Sequence, residues 1–150
     1  MVWPTKVQKG KLGAGTKAID EQREGLVCVG AGMKSLPPCP TSPNCVSTQA
    51  QDEGQAIAPF RYQKNRAEAK EVLKAIVRLL SRTTLVAEDE DYLHYEFTSL
   101  LLRFVDDVEF VFDEETKMVH FRSASRSGYS DLGVNRRRME EIRTLIEGKM

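Results

Sequence analysis

The chain has 150 residues, 41% hydrophobic and 29% charged, with 22 basic and 22 acidic side chains and a formal net charge of zero. That length supports one domain with a core that needs no metal or disulfide staple. The neutral balance excludes a global field that would draw the protein to nucleic acid or anionic lipid, and no run nears the roughly 20 apolar residues of a membrane span.

The charge is uneven: Glu88 to Glu115 holds eleven acids against one arginine, between basic flanks. Such a middle reads first as solvated hairpin edges and second as a face for a basic partner. No signal-peptide order of basic, apolar and small-residue segments is seen.

Residues 1–35 read as an extended arm, rich in Gly and Lys and poor in periodic apolar positions. Leu36 to Gln51 (LPPCPTSPNCVSTQAQ) reads as a proline-stiffened loop in which no regular helix forms. A helix is predicted from Asn65 to about Ser81. Asn65 and Glu68 have capping-box spacing, and Val72, Leu73, Ile76, Val77 and Leu80 fall on one face.

Four strands follow, around TTLVAED, DYLHYEFTS, DDVEFVF and MVHFRSAS. Alternation places Leu93, Tyr95 and Phe97 on one face and Tyr92, His94 and Glu96 on the other. Leu100 to Phe104 reads as an apolar run leading into the third strand. A last helix is predicted from about Asn135 to Glu147, with Met139, Ile142, Leu145 and Ile146 on one side. The expectation is an α+β domain over 36–150: a four-stranded antiparallel sheet with two packed helices, preceded by the arm.

Three cysteines are present. Cys39 and Cys45 lie close enough in chain for a local disulfide in an oxidising compartment, and reduced thiols are the alternative. Zinc is disfavoured, because the spacing is not CxxC and the chain has two histidines, both on predicted strands. His94 and His120 read as packed or surface side chains. Asp106, Asp107 and Glu109 offer carboxylates for a hard cation or acid/base work, but the simpler reading pairs them with the arginines of RSASR. An Arg122–Asp107 pair is the specific expectation.

The stretch from His120 to Arg138 (HFRSASRSGYSDLGVNRRR) is the most unusual in the chain. Arg122 and Arg126 flank Ser123 and Ser125 as a strand ends. Asp131 is placed to cap amides, Gly133 to take positive φ, and Asn135 to start the helix. Arg136, Arg137 and Arg138 then oppose the helix dipole. A carboxylate from Asp106 or Asp107, or a bound phosphate or sulfate, would relieve that conflict. No GxGxxG, Walker A or GxSxG spacing occurs. No catalytic, cofactor or metal residue is assigned. The candidate polar cluster is Asp106, Asp107, Glu109, Arg122, Ser123 and Ser125, with Arg126, Asp131, Asn135 and Arg136 beside them.

CPTSPNCVS, Ile57-x-Pro-Phe60, YLHYEFTS, RFVDDVEF and HFRSASRSGYSDLGVNRRRMEEIR stand in this order. Together they resemble domain-of-unknown-function family 1499, over about Leu36 to Ile146. The family motif also takes in Ser42, Pro43, Asn44 and Gly133, and Thr48 stands where the family pattern leads us to expect a serine. The resemblance implies a small domain of bacteria and plastid-bearing lineages, with no reaction or cofactor attached.

The leading functional expectation is a non-enzymatic binding module with protein partners and no nucleic acid. It would be a peripheral subunit or an assembly or stabilising factor of a larger complex, contacted partly through the arm. The family's spread directs attention to a photosynthetic membrane complex such as a photosystem, with the protein peripheral to the thylakoid membrane in a plastid, and otherwise in the cytoplasm or periplasm. The competing expectation is an anion or small-molecule binder, or an enzyme, using the Arg/Ser/Asp cluster.

Overall fold

The computed structural model of the chain describes residues 27–29 and 33–150. The arm expected over 1–35 lies outside the described residues, except for β1 (Val27–Val29) and β2 (Met33–Ser35), which pair antiparallel.

The α+β expectation holds, but the main antiparallel sheet has six strands rather than four. The chain runs β3 (Cys45–Ser47), β4 (Phe60–Arg61), α1 (Arg66–Leu79), β5 (Thr83–Asp89), β6 (Tyr92–Thr98), β7 (Val105–Asp113), β8 (Met118–Ser125) and α2 (Val134–Ile146). In space the order is β3-β8-β7-β6-β5, with β4 also on β8.

The two unforeseen strands share one edge of β8, with Val46 opposite Ser123 and Phe60 opposite Val119. They are three and two residues long and carry no alternation to read. Their place comes from the open edge of β8, which needs partners for its backbone. Thr48 extends the tie: its amide donates to the Phe121 carbonyl at 3.0 Å, and its hydroxyl accepts from the Phe121 amide at 3.1 Å. A serine there would offer the same hydroxyl.

Both helices pack on one face of the sheet. Asn65 caps α1 through Oδ1, which accepts from the Glu68 amide at 2.9 Å. Leu73, Ile76 and Val77 of α1 and Met139, Ile142 and Ile146 of α2 meet the inward residues of β6, β7 and β8. Phe121 sits at the centre, its ring 4.4 Å from that of Phe60 and 6.3 Å from that of Phe110. Such ring pairs add about 0.5–1.5 kcal/mol beyond their buried area. The opposite face carries Tyr92, His94, Asp107, Glu109 and Arg122. There Leu36 lies on Tyr92 and Val111 in a small second cluster.

Candidate functional site

Nine of the ten residues of the predicted cluster divide between the two faces of the sheet, and Arg136 joins neither group. On the helix side, α2 begins after Gly133 in the left-handed conformation at φ 77°. The helix starts one residue before the expected Asn135, at Val134, and Asp131 caps its amides as its position in the sequence predicted. Its carboxylate accepts from the Gly133 amide at 2.9 Å and the Asn135 amide at 2.8 Å. Burial pushes the Asp131 carboxyl up, but these amides and the Asn135 side chain outweigh it and hold it below the usual carboxylate range.

Asn135 is fully buried and acts as a hub instead. Its Oδ1 accepts from Ser123 Oγ at 2.5 Å and from Arg138 Nη1 at 2.8 Å. Its Nδ2 has Asp131 Oδ2 at 2.7 Å, Ser125 Oγ at 3.0 Å and the Asn44 carbonyl at 3.1 Å. Two N–H groups thus serve three acceptors. Asn44 in turn donates to the Gly128 carbonyl at 2.7 Å, and its own carbonyl also accepts from the Ser125 amide at 3.0 Å. Arg138 closes the knot by donating to Asp106. The charge conflict at the start of α2 is therefore met inside the fold, by Asp131 and Asp106.

Asp107, Glu109, Arg122 and Arg126 lie on the other face. The expected Arg122–Asp107 pair does not form, because the register sets Glu109 opposite Arg122. Arg122 Nη1 donates to Glu109 Oε2 at 3.5 Å, while Tyr92 donates its hydroxyl to Glu109 Oε1 at 2.8 Å. The register also sets Glu96 opposite Asp107, a like-charge pair. Arg126 clamps both, reaching Asp107 at 2.7 and 2.8 Å and also bonding Glu96. His94 Nε2 lies 2.7 Å from Asp107 Oδ1. Burial pushes the Asp107 carboxyl up, but the bonds from His94 and Arg126 win and hold it well below the usual range.

A histidine oriented by a carboxylate has the form of a general base. Among the described residues, however, no hydroxyl or thiol is bonded to His94. Burial pushes the pKa of His120 down, and its Nδ1 meets Thr48 Oγ1 at 3.2 Å. Arg136 stands apart from both clusters, donating to the Gly54 carbonyl at 3.0 Å and the Ala56 carbonyl at 2.9 Å. Cys39 and Cys45 are bonded, with Cα atoms 5.7 Å apart, which fixes the loop before β3. Among the described residues no three His, Cys, Asp or Glu side chains gather as a metal site. Among them, too, no helix is long and apolar enough to cross a membrane.

The feature that pattern reading missed lies at one end of the sheet. Leu100 to Phe104 does not continue a strand. The β6–β7 hairpin closes with the Ser99 amide on the Phe104 carbonyl at 2.8 Å and the Phe104 amide on Ser99 Oγ at 2.9 Å. Leu100, Leu101 and Leu102 stand out at the tip, Leu101 at 88% exposure. Antiparallel order brings the end of α1, the loop after β8 and the start of α2 to the same end. There Leu79, Tyr129, Leu132 and Val134 are also exposed. A groove of about 560 Å3 runs between Leu79, Leu100 and Val134, over Leu80, Phe97 and Arg138. The signal was available: three leucines in succession break the period-2 pattern of the strands on either side.

A family model described as a protein of unknown function (DUF1499) matches residues 35–146. The chain belongs to this family. No curated protein and no solved structure matches the chain. Within the DUF1499 span, the residues drawn from its motifs build the two polar ties described above, and the loop carrying the disulfide.

Proposed function

We propose that this DUF1499 domain is a non-enzymatic docking module, a peripheral subunit or assembly factor held on a larger membrane-associated assembly by its apolar end. The observation that carries this reading is the concentration of exposed large apolar side chains. Among the described residues, all of them but Leu85 and Val86 of β5 lie at the end holding the Leu100–Arg103 tip. Scattered surface leucines need no explanation, whereas a contiguous apolar end marks an attachment face. The arm is assigned to extend the contact. A photosynthetic membrane complex, indicated by the family's spread, is the first assembly to test.

A photoreactive residue at Leu101 tests the reading in native membranes. Crosslinks from Leu101, and none from Glu115 at the other end, are expected. Equal labelling from both positions, or none from Leu101, would remove the docking face.

The anion-binding alternative narrows to two donors. Arg126, Arg136 and Arg138 are engaged by carboxylates or carbonyls, but among the described residues Arg122 Nε and Gln49 Nε2 are buried donors without an acceptor. Buried donors of this kind call for an acceptor such as a small anion or a water. A thermal-shift series with phosphate and sulfate checks this, and stabilisation lost in Arg122→Met would favour it.

A further inference from the structure

We infer that the occupant of the apolar end is the anionic lipid surface of a bilayer, with the Leu100–Arg103 tip set into the boundary between headgroups and acyl chains. The inference rests on the docking reading and names what fills that face.

The shape of the tip is the first argument. It is a closed hairpin end, held by both bonds between Ser99 and Phe104; Leu100 borders the groove, while Leu101 and Leu102 project beyond it. Protein contact hot spots favour Trp, Tyr and Arg, and leucine is under-represented in them. Leucine partitions favourably into hydrocarbon, and tyrosine belongs at the headgroup level. Tyr129, 75% exposed at the same end, fits that level.

Backbone conformation is the second. Arg82, Arg103 and Leu132 take φ of 59°, 51° and 54°, left-handed geometry that glycine adopts more cheaply. Lys117 takes the same geometry at 56° in the turn at the opposite end, so three of the four such residues among the described ones are found at this end.

Charge is the third. Among the described residues no carboxylate pairs with Arg82, Arg103 or Arg137. Glu141 and Asp106 share the groove with Arg82 and Arg137, and Asp106 is taken up by Arg138. The turns at the opposite end carry Glu90, Asp91, Glu114 and Glu115, with Arg66 on Glu90 and Lys117 on Glu114. These bases are engaged by acids, whereas Arg82, Arg103 and Arg137 at the apolar end are not, and an anionic surface would orient the molecule tip-first. Arginine beside buried leucines reaches back to the headgroups along its aliphatic stem.

The test is co-sedimentation of the full chain with protein-free vesicles, either phosphatidylcholine alone or phosphatidylcholine and phosphatidylglycerol in equal parts. Binding to the mixed vesicles is expected, weakening with salt and near absent on phosphatidylcholine alone. Leu101→Glu with Leu102→Glu should abolish it at an unchanged melting temperature. Arg103→Gln should weaken it about fivefold, the ~1 kcal/mol of one basic side chain at an anionic surface. Binding that ignores the leucine changes would overturn the inference. Absence of vesicle binding, with Leu101 crosslinking to a protein in native membranes, would overturn the lipid occupant and leave the docking face standing. Absence of both would remove the two together.

Discussion

Arg138 of α2 and Asp106 of β7 form an ion pair between helix and sheet at the floor of the groove, their side chains only 12% and 10% exposed. The guanidinium carbon also lies 4.6 Å from the centre of the Phe97 ring. Removing one partner strands the other charge away from water, which costs more than the pair itself contributes. Asp106→Ala should therefore destabilise by about 3–5 kcal/mol, while Asp106→Leu with Arg138→Met recovers much of that loss. Urea unfolding of the variants measures both. A loss below about 1 kcal/mol for Asp106→Ala would place the pair outside the closed interior.

Asn135 ties three segments that are distant in sequence: the Asn44 loop, the end of β8 and the start of α2. Asn135→Ala leaves the Ser123 hydroxyl and Arg138 short of an acceptor. Each orphaned buried group costs about 1–3 kcal/mol. A total near ~3 kcal/mol is expected in urea melts, with faster hydrogen exchange at the Ser125 amide, whose acceptor is the Asn44 carbonyl.

The carboxyls of Asp107 and Asp131 both sit below the usual range in the folded protein. A carboxyl lowered by folding adds stability that is complete above its unfolded pKa, near ~3.9, and drains away as pH falls below it. The protein should lose a little stability below about pH 6.5, where the half-buried His120 is harder to protonate folded than unfolded, and lose it steeply below about pH 4 as the lowered carboxyls take up protons. Asp107→Asn should start less stable at neutral pH and show a shallower acid loss. Parallel acid profiles for the two proteins would sink this account of the His94–Asp107–Arg126 cluster.

The Cys39–Cys45 bond closes a short loop directly onto β3. Loop-closure entropy for so few residues is worth about 2 kcal/mol. Cys39→Ser with Cys45→Ser should lower the melting temperature, and the parent chain in reductant should match it. An unchanged melting temperature would mean that β3 is held by its β8 pairing alone.

Much of this architecture was legible in the chain. Alternation in YLHYEFT and VEFVFD marked β6 and β7, and helical spacing with Asn65 before Glu68 marked α1. The same alternation separated Asp106 from Asp107. What it does not carry is register: whether Arg122 meets Asp107 or Glu109 depends on how the Asp113–Lys117 turn closes, which side-chain parity leaves open. β3 and β4 were hidden because such short segments have no period, and they are strands only where the β8 edge receives them. The LLLRF segment reads only as an apolar run leading into the third strand, and that reading does not turn it outward. Its role became visible only when the Ser99–Phe104 closure turned those leucines outward.

The central claim is attachment through the apolar end, and native fractionation of membranes and soluble extract from the source cells tests it most directly. The protein is expected to travel with a membrane-associated assembly, and the chain carrying Leu101→Glu and Leu102→Glu to leave it. Migration of the unaltered protein as a free species near its 16.9 kDa mass would contradict the account.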